Sequence, residues 1–163
     1  MAHSLPKQIF IVEDNELYAM MIDYILSKES IYRFVNFKSG EDCLNNLYLD
    51  PDIIILDHGL PGMNGYQTLL EIKKRNPKAH VIILTNNTDR NLRMKLLDAG
   101  ADDFVLKQGH GETQIISKID NILEWDEQER TFYNMLASHP HLTKAVVIIL
   151  ISALATLGVA CFT

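Results

Sequence analysis

The sequence predicts an α/β fold, a doubly wound five-stranded parallel sheet with helices on both faces. Short apolar runs alternate along the chain with amphipathic segments, and most of the apolar runs end in a polar side chain. The chain has 163 residues and two cysteines, which suits one domain with a short appendage and makes a disulfide framework unexpected. Its net charge of −6 argues against nucleic-acid binding through a basic surface.

Five apolar runs are the predicted strands. They are rich in Ile, Val, Leu and Phe, and runs that stay apolar throughout are typical of parallel strands buried on both faces. The runs cover residues 8–12, 32–37, 53–56, 81–84 and 103–106. Because parallel neighbours need a right-handed crossover, we expect a helix between consecutive strands.

The first three helices are predicted from apolar residues at helical spacing and from their end signals. Ser39 opens the second helix, Asn64 is the expected N-cap of the third, and Pro77 follows its end. The apolar residues at helical spacing are Leu17, Met20, Met21, Tyr24 and Ile25 in the first helix, Leu44 and Leu47 in the second, and Leu69, Leu70 and Ile72 in the third. Such stripes are expected to face the sheet.

The last two helices follow the same pattern. Thr88 or Asp89 is expected to cap the fourth helix, and Gly100 is expected to end it. The inward residues are predicted to be Leu92, Leu96 and Leu97 in the fourth helix, and Ile115, Ile116, Ile119, Ile122 and Leu123 in the fifth.

Polar residues follow four of the five predicted strands. Glu13 and Asp14 come after the first strand, Asp57 after the third, Thr85 after the fourth and Lys107 after the fifth. The carboxyl ends of parallel strands share one edge of the sheet, so these side chains should meet in one crevice. Carboxylates brought together need a cation, and oxygen ligands suit Mg²⁺. With a lysine and a hydroxyl beside them, the group suits an aspartate that accepts a phosphoryl group.

The order and spacing of these motifs resemble the receiver (CheY-like) domain of bacterial two-component response regulators. The resemblance covers roughly residues 7–128 and implies a flavodoxin-like sheet with strand order 2-1-3-4-5. The residues that carry it are Val12-Glu13-Asp14, Leu56-Asp57, Pro61-Gly62, Gly65, Leu84-Thr85, Gly100-Ala101-Asp102-Asp103-Phe104 and Lys107.

The resemblance implies a role for each residue of the crevice. Asp57 would be the phosphoacceptor and would hold Mg²⁺ together with Glu13, Asp14 and the backbone carbonyl of Gly59. The donor would be a histidine kinase or a histidine phosphotransfer protein. Such a domain is a signalling switch rather than an enzyme.

The same resemblance implies how the signal leaves the site. Thr85 would bind a phosphoryl oxygen, Lys107 would pair with the phosphoryl group, and Phe104 would be the aromatic switch residue that follows Thr85. The surface formed by the fourth helix, fifth strand and fifth helix would then bind a downstream protein or a second copy of the chain.

Two positions depart from the family pattern and keep an alternative open. The family usually has proline after the lysine and a small residue after the threonine, whereas this chain has Gln108 and Asn86. The alternative is a phosphorylation-independent interaction module with the same fold. An aspartate-nucleophile phosphohydrolase is disfavoured, because such enzymes need an aspartate where this chain has Gly59.

The end of the chain has a different composition. Residues 145–163 contain no charged side chain, and a helix of this length spans about 28 Å, which is close to the thickness of a bilayer core. We therefore predict a receiver domain over 7–128, a linker or helix extension over 129–141 and a transmembrane anchor helix over 142–163, with no separate output domain. The domain would lie on the cytoplasmic side of the bacterial membrane. The alternative is a cytoplasmic protein whose apolar helix packs in a dimer or against the domain.

Overall fold

The computed structural model describes residues 6–29, 31–108 and 111–138, apart from the side chains of residues 111–113. The predicted anchor at 142–163 and the end of the predicted linker lie outside these residues. The strands are β1 (Lys7–Val12), β2 (Tyr32–Phe37), β3 (Ile53–Asp57), β4 (His80–Thr85) and β5 (Asp103–Leu106). The helices are α1 (Glu16–Leu26), α2 (Gly40–Asn45), α3 (Gly65–Arg75), α4 (Arg90–Asp98) and α5 (Gly111–Ser138), with a 3₁₀ turn at Leu47–Leu49.

The strands form one parallel sheet in the order β2-β1-β3-β4-β5, which confirms the predicted fold class and strand order. The central strands are buried on both faces, as their continuous apolar sequences predict. In the register of the sheet Asp57 lies opposite Leu84, and Thr85 lies opposite Leu106. The carboxyl ends of β3, β4 and β5 are therefore aligned along one edge.

The apolar stripe predicted for α1 faces the sheet only in part, since Met21 and Ile25 are half-buried. Leu17, Met20 and Tyr24 are exposed, with 78%, 65% and 66% of their surfaces accessible. The residues of α1 that the structure buries are Ala19, Ile22 and Leu26. Both sets repeat at helical spacing, and the small side chain of Ala19 lets the helix lie close to the sheet on that side.

The inward faces of α3 and α4 are predicted correctly except at their margins. Leu69, Ile72 and Leu96 are buried, whereas Leu70 and Leu97 are exposed. Consecutive helical residues point about 100° apart, so Leu70 and Leu97 leave the buried stripe that their sequence neighbours Leu69 and Leu96 occupy.

Local end signals fix the helices that surround the site. The side chain of Asn64 accepts a hydrogen bond from the Gln67 amide, and Gln67 returns one to Asn64, so the predicted cap of α3 is a complete capping box. Asp89, rather than Thr88, caps α4. Gly100 follows α4 with φ of +99°, a conformation that glycine adopts without a steric penalty.

The amino-terminal edge of the sheet carries a charged cluster around Asp102. This carboxylate lies 2.7 Å from His80 Nδ1 and 3.0 Å from Lys73 Nζ, and it accepts the Val81 amide at 2.8 Å. Burial raises the pKa of Asp102, but these three partners outweigh burial and hold the pKa below its usual value. The cluster joins the end of α3 to the starts of β4 and β5.

The chain divides into two compact units, residues 1–122 and 123–163. The first unit contains the whole sheet. Of the second, the structure describes residues 123–138, the carboxyl-terminal part of α5. Among all the described residues, no helix combines the length and the apolar character needed to cross a bilayer.

Candidate functional site

The site is built on backbone hydrogen bonds that hold the carboxyl ends of the strands together. The His58 amide donates to the Leu84 carbonyl at 2.8 Å, and the Lys107 amide donates to the Thr85 carbonyl at 2.9 Å. The loops after β3, β4 and β5 therefore start from fixed positions, and so do the side chains at these ends.

Three carboxylates meet at this edge. One oxygen from each of Glu13, Asp14 and Asp57 lies within 4.8 Å of the others. Two opposite ligands of one Mg²⁺ lie about 4.2 Å apart, so a small contraction would bring these oxygens into its coordination sphere. Glu13 and Asp57 are buried whereas Asp14 is exposed, so the group opens to solvent on the side of Asp14. This set of oxygen donors, open to water on one side, fits the predicted magnesium site.

Lys107 supplies the positive charge of this cluster. Its Nζ lies 2.6 Å from Glu13 Oε2 and 2.9 Å from Asp57 Oδ1, and only 11% of its side chain is accessible. The peptide after Lys107 is not cis, since the described residues contain no cis peptide bond. With Gln108 in place of the proline expected from the resemblance, the lysine still reaches Asp57.

The surroundings of Glu13 shift its pKa. Burial raises its pKa, the Lys107 ammonium opposes that effect, and the nearby Asp57 charge adds to it. The net direction is upward. A cation bound beside Glu13 would oppose this shift, because it stabilises the charged form of the carboxylate.

Helix α1 adds a residue that the sequence analysis did not single out. The ring of Tyr18 lies against Lys107, with its centroid 4.9 Å from Nζ. The position of Tyr18 in the first turn of α1, just after the Glu13-Asp14 pair, is the one sequence signal that could have identified it.

Thr85 shares an open pocket of about 490 Å³ with Asp57, next to the acidic cluster. Its hydroxyl oxygen accepts the Asn87 amide at 3.0 Å, which leaves the hydroxyl proton for another acceptor. Asn86 is exposed and lines the same pocket. Gly59 lines it too, and a Cβ built on this glycine would lie 3.5 Å from Asp57 Oδ2. The pocket gives solvent and small molecules access to Asp57.

Phe104 lies outside the acidic cluster. Its half-buried ring lines a separate cavity of about 80 Å³ that Thr85 also borders. The guanidinium carbon of Arg93 in α4 lies 3.4 Å from the ring centroid. Thr85 therefore stands between the pocket of Asp57 and the cavity of Phe104.

Comparison with known proteins identifies the family. The profile of the response regulator receiver domain matches residues 9–120, which is well over half of the chain. The chain belongs to this family. Receiver domains of response regulators are generally signalling switches rather than enzymes. They bind Mg²⁺ at an acidic site, and they interact with histidine kinases or phosphotransfer proteins and with downstream partners.

The similar proteins agree with this assignment. The chain is 31% identical over 105 residues to the response regulator protein VraR of Staphylococcus saprophyticus, a match that covers 63% of this chain and 50% of VraR. It is 32% identical over 118 residues to the cell cycle response regulator CtrA of Brucella ovis, covering 71% of this chain and 50% of CtrA. The chain thus spans about half the length of the curated relatives it matches.

Solved structures also resemble this fold. The response regulator DrrB of Thermotoga maritima, an OmpR/PhoB homologue, superposes with a TM-score of 0.68 at 30% identity, over 75% of this chain and 54% of DrrB. The signal receiver domain of a LuxO repressor protein from Vibrio parahaemolyticus gives a TM-score of 0.71 at 25% identity, over 78% and 98% of the two chains.

Proposed function

We propose that this receiver domain accepts a phosphoryl group on Asp57 from a phosphohistidine of a histidine kinase or a phosphotransfer protein. The observation that carries the proposal is the juxtaposition of Asp57 with Glu13, Asp14 and Lys107 beside an open pocket. The set combines a nucleophile, oxygen ligands for a cation and a charge partner for the transferred group.

The chemistry is an in-line displacement. A carboxylate oxygen of Asp57 forms a bond to phosphorus while the P–N bond to the donor imidazole breaks, and the imidazole leaves as the neutral base after protonation. Lys107 pairs with a phosphoryl oxygen, and Thr85 donates its hydroxyl proton to another. Glu13, Asp14 and Asp57, with the predicted Gly59 carbonyl, would hold Mg²⁺, which would supply positive charge to offset the charge on the phosphoryl oxygens.

The test is phosphorylation of the full chain by acetyl phosphate with Mg²⁺, followed by intact mass. We expect the wild type to gain one phosphoryl group and Asp57→Asn to gain none. Asp98→Asn removes a carboxylate from the exposed end of α4 and serves as the matched control. Phosphorylation of D57N, or an unmodified wild type, contradicts the proposal. The second result would favour the phosphorylation-independent module.

The proposed route of the signal runs from Thr85 to the surface of α4, β5 and α5. Movement of Thr85 toward a phosphoryl oxygen would enlarge the cavity beside Phe104 and allow its ring to move inward. Leu97 and Leu106 are exposed on this side and could then contact a partner or a second copy. Analytical ultracentrifugation with and without beryllofluoride tests self-association. Leu106→Glu should abolish any increase in the dimer fraction that beryllofluoride causes, and the exposed control Leu49→Glu should leave that increase unchanged.

The proposed membrane tether rests on the sequence of residues 145–163, which contain no charged side chain. Fractionation of cells that express the full chain or a chain truncated at Pro140 tests it. We expect the full chain in the membrane fraction and the truncated chain in the supernatant. Equal distribution of the two chains would rule out the anchor.

A further inference from the structure

The position of the Lys107 ammonium depends on contacts at its far end. A lysine side chain has four rotatable carbon–carbon bonds, so a fixed backbone does not by itself fix Nζ. The Lys107 amide is anchored to Thr85, but the nitrogen that matters lies at the end of the flexible chain. Whatever surrounds Nζ therefore determines where the positive charge sits.

Two carboxylates and one aromatic ring surround this nitrogen. Glu13 and Asp57 approach it at 2.6 Å and 2.9 Å, and the Tyr18 ring approaches it from α1 with its centroid at 4.9 Å. This separation lies within the range of cation–π contacts. Glu13 directly follows β1 and Asp57 ends β3, so the ring provides the contact from the helical side.

The backbone of Tyr18 is linked through Asn15 to the same carboxylate that contacts the lysine. Glu13 Oε1 accepts the amide of Asn15 at 3.2 Å, and Asn15 Oδ1 accepts the amide of Tyr18 at 3.1 Å. Glu13 thus fixes the first turn of α1 with one oxygen and contacts Lys107 with the other. Tyr18, Glu13 and Lys107 form one connected unit.

We propose that Tyr18 is a positioning residue whose ring holds the Lys107 ammonium on Asp57 and so increases the affinity of the site for a phosphoryl group. The effect on phosphoryl binding rests on the proposed function, whereas the contact itself does not. Loss of the ring should weaken binding of beryllofluoride, a phosphoryl mimic, about fivefold to tenfold at saturating Mg²⁺.

The chain contains a matched control on the same helix. Tyr24 also lies against a lysine, with its ring centroid 4.4 Å from Lys28 Nζ, but this pair is exposed. The variants are therefore Tyr18→Leu, Tyr18→Phe and Tyr24→Leu in the full chain. A fourth variant carries pentafluorophenylalanine at position 18, which keeps the shape of the ring and reverses its charge distribution.

The first readout is the ¹³Cε resonance of Lys107 in lysine-labelled protein, recorded without Mg²⁺ or beryllofluoride. Tyr18→Leu should shift this resonance because the ring current is lost, and Tyr18→Phe should restore it. Tyr24→Leu should shift Lys28 and leave Lys107 unchanged. An unchanged Lys107 resonance in Tyr18→Leu overturns the proposed contact.

The second readout is the Kd for beryllofluoride. Tyr18→Phe should bind like the wild type, and the Leu and pentafluorophenylalanine variants should bind about fivefold to tenfold more weakly. With Lys107→Met as the background, Tyr18→Leu should cause no further loss, because the ring acts through the lysine. Equal affinity of the Phe and pentafluorophenylalanine chains, or a full further loss in the Lys107→Met background, overturns the role of Tyr18. A wild type that binds no beryllofluoride refutes the proposed function instead.

Discussion

Replacing Lys107 with methionine tests the electrostatics of the site without any phosphorylation. The lysine is nearly buried and forms ion pairs with Glu13 and Asp57, so its removal leaves two close carboxylates without their cation. Breaking a buried ion pair costs about 3–5 kcal/mol. Glu13 can take up a proton, because its pKa is already raised by burial, and this limits the loss to about 2–4 kcal/mol.

The assay is thermal or urea unfolding of K107M and wild type in EDTA and at increasing Mg²⁺ concentration. In EDTA we expect the Tm of K107M to be lower by about 8–15 °C. Mg²⁺ should reduce this difference, since the ammonium no longer competes for Glu13 and the ion stabilises the folded state by mass action. The matched control is Lys38→Met, which removes an exposed ion pair with Glu16 and should cause no measurable change.

Two outcomes would refute this reasoning. Equal stability of K107M and wild type in EDTA would mean that the lysine does not offset the repulsion of the carboxylates. A stability difference that does not change with Mg²⁺ would mean that the ion and the ammonium do not share these ligands.

Three further predictions concern other parts of the fold. Asp102→Asn should lower the free energy of unfolding at pH 7. Because the folded protein holds the pKa of Asp102 below its usual value, the difference from wild type should disappear as the pH falls through the folded-state pKa; equal urea midpoints at pH 7 would contradict this prediction. Gly65→Ala should lower the free energy of unfolding by about 1–3 kcal/mol in urea, since the new Cβ would lie 2.4 Å from the Asp57 carbonyl oxygen. An unchanged free energy of unfolding would mean that α3 can shift to make room for the methyl group. Arg93→Ala should lower the free energy of unfolding by about 0.5–1 kcal/mol and shift the ring resonances of Phe104 in NMR spectra. Unchanged Phe104 resonances would mean that the two side chains are not in contact.

The sheet and the set of residues at its edge could be predicted because both depend on short-range rules. A parallel strand buried on two faces has a recognisable composition, and the residue that follows it must lie at the carboxyl edge. The structure brings Glu13, Asp57 and Lys107 together at this edge, as this rule predicts. The order of strands needed the family resemblance as well.

Contacts that depend on helix rotation could not be predicted. In α1 two stripes have equal spacing, and the more hydrophobic one, which includes Leu17 and Met20, faces outward. The small Ala19 in the other stripe adds little hydrophobicity but permits close approach to the sheet. The position of Tyr18 against Lys107 follows from that rotation, so the sequence pattern alone could not identify it.

The buried sheet also limits how a change at Asp57 can travel. Between their polar ends, its central strands are apolar, paired with a neighbour on each side and buried on both faces, so we expect them to stay in place. A change at Asp57 should therefore move the loops after β3 and β4 and the side chains of Thr85 and Phe104, rather than the strands. In amide hydrogen exchange, the strands should keep one rate in every state of the site while those loops change theirs.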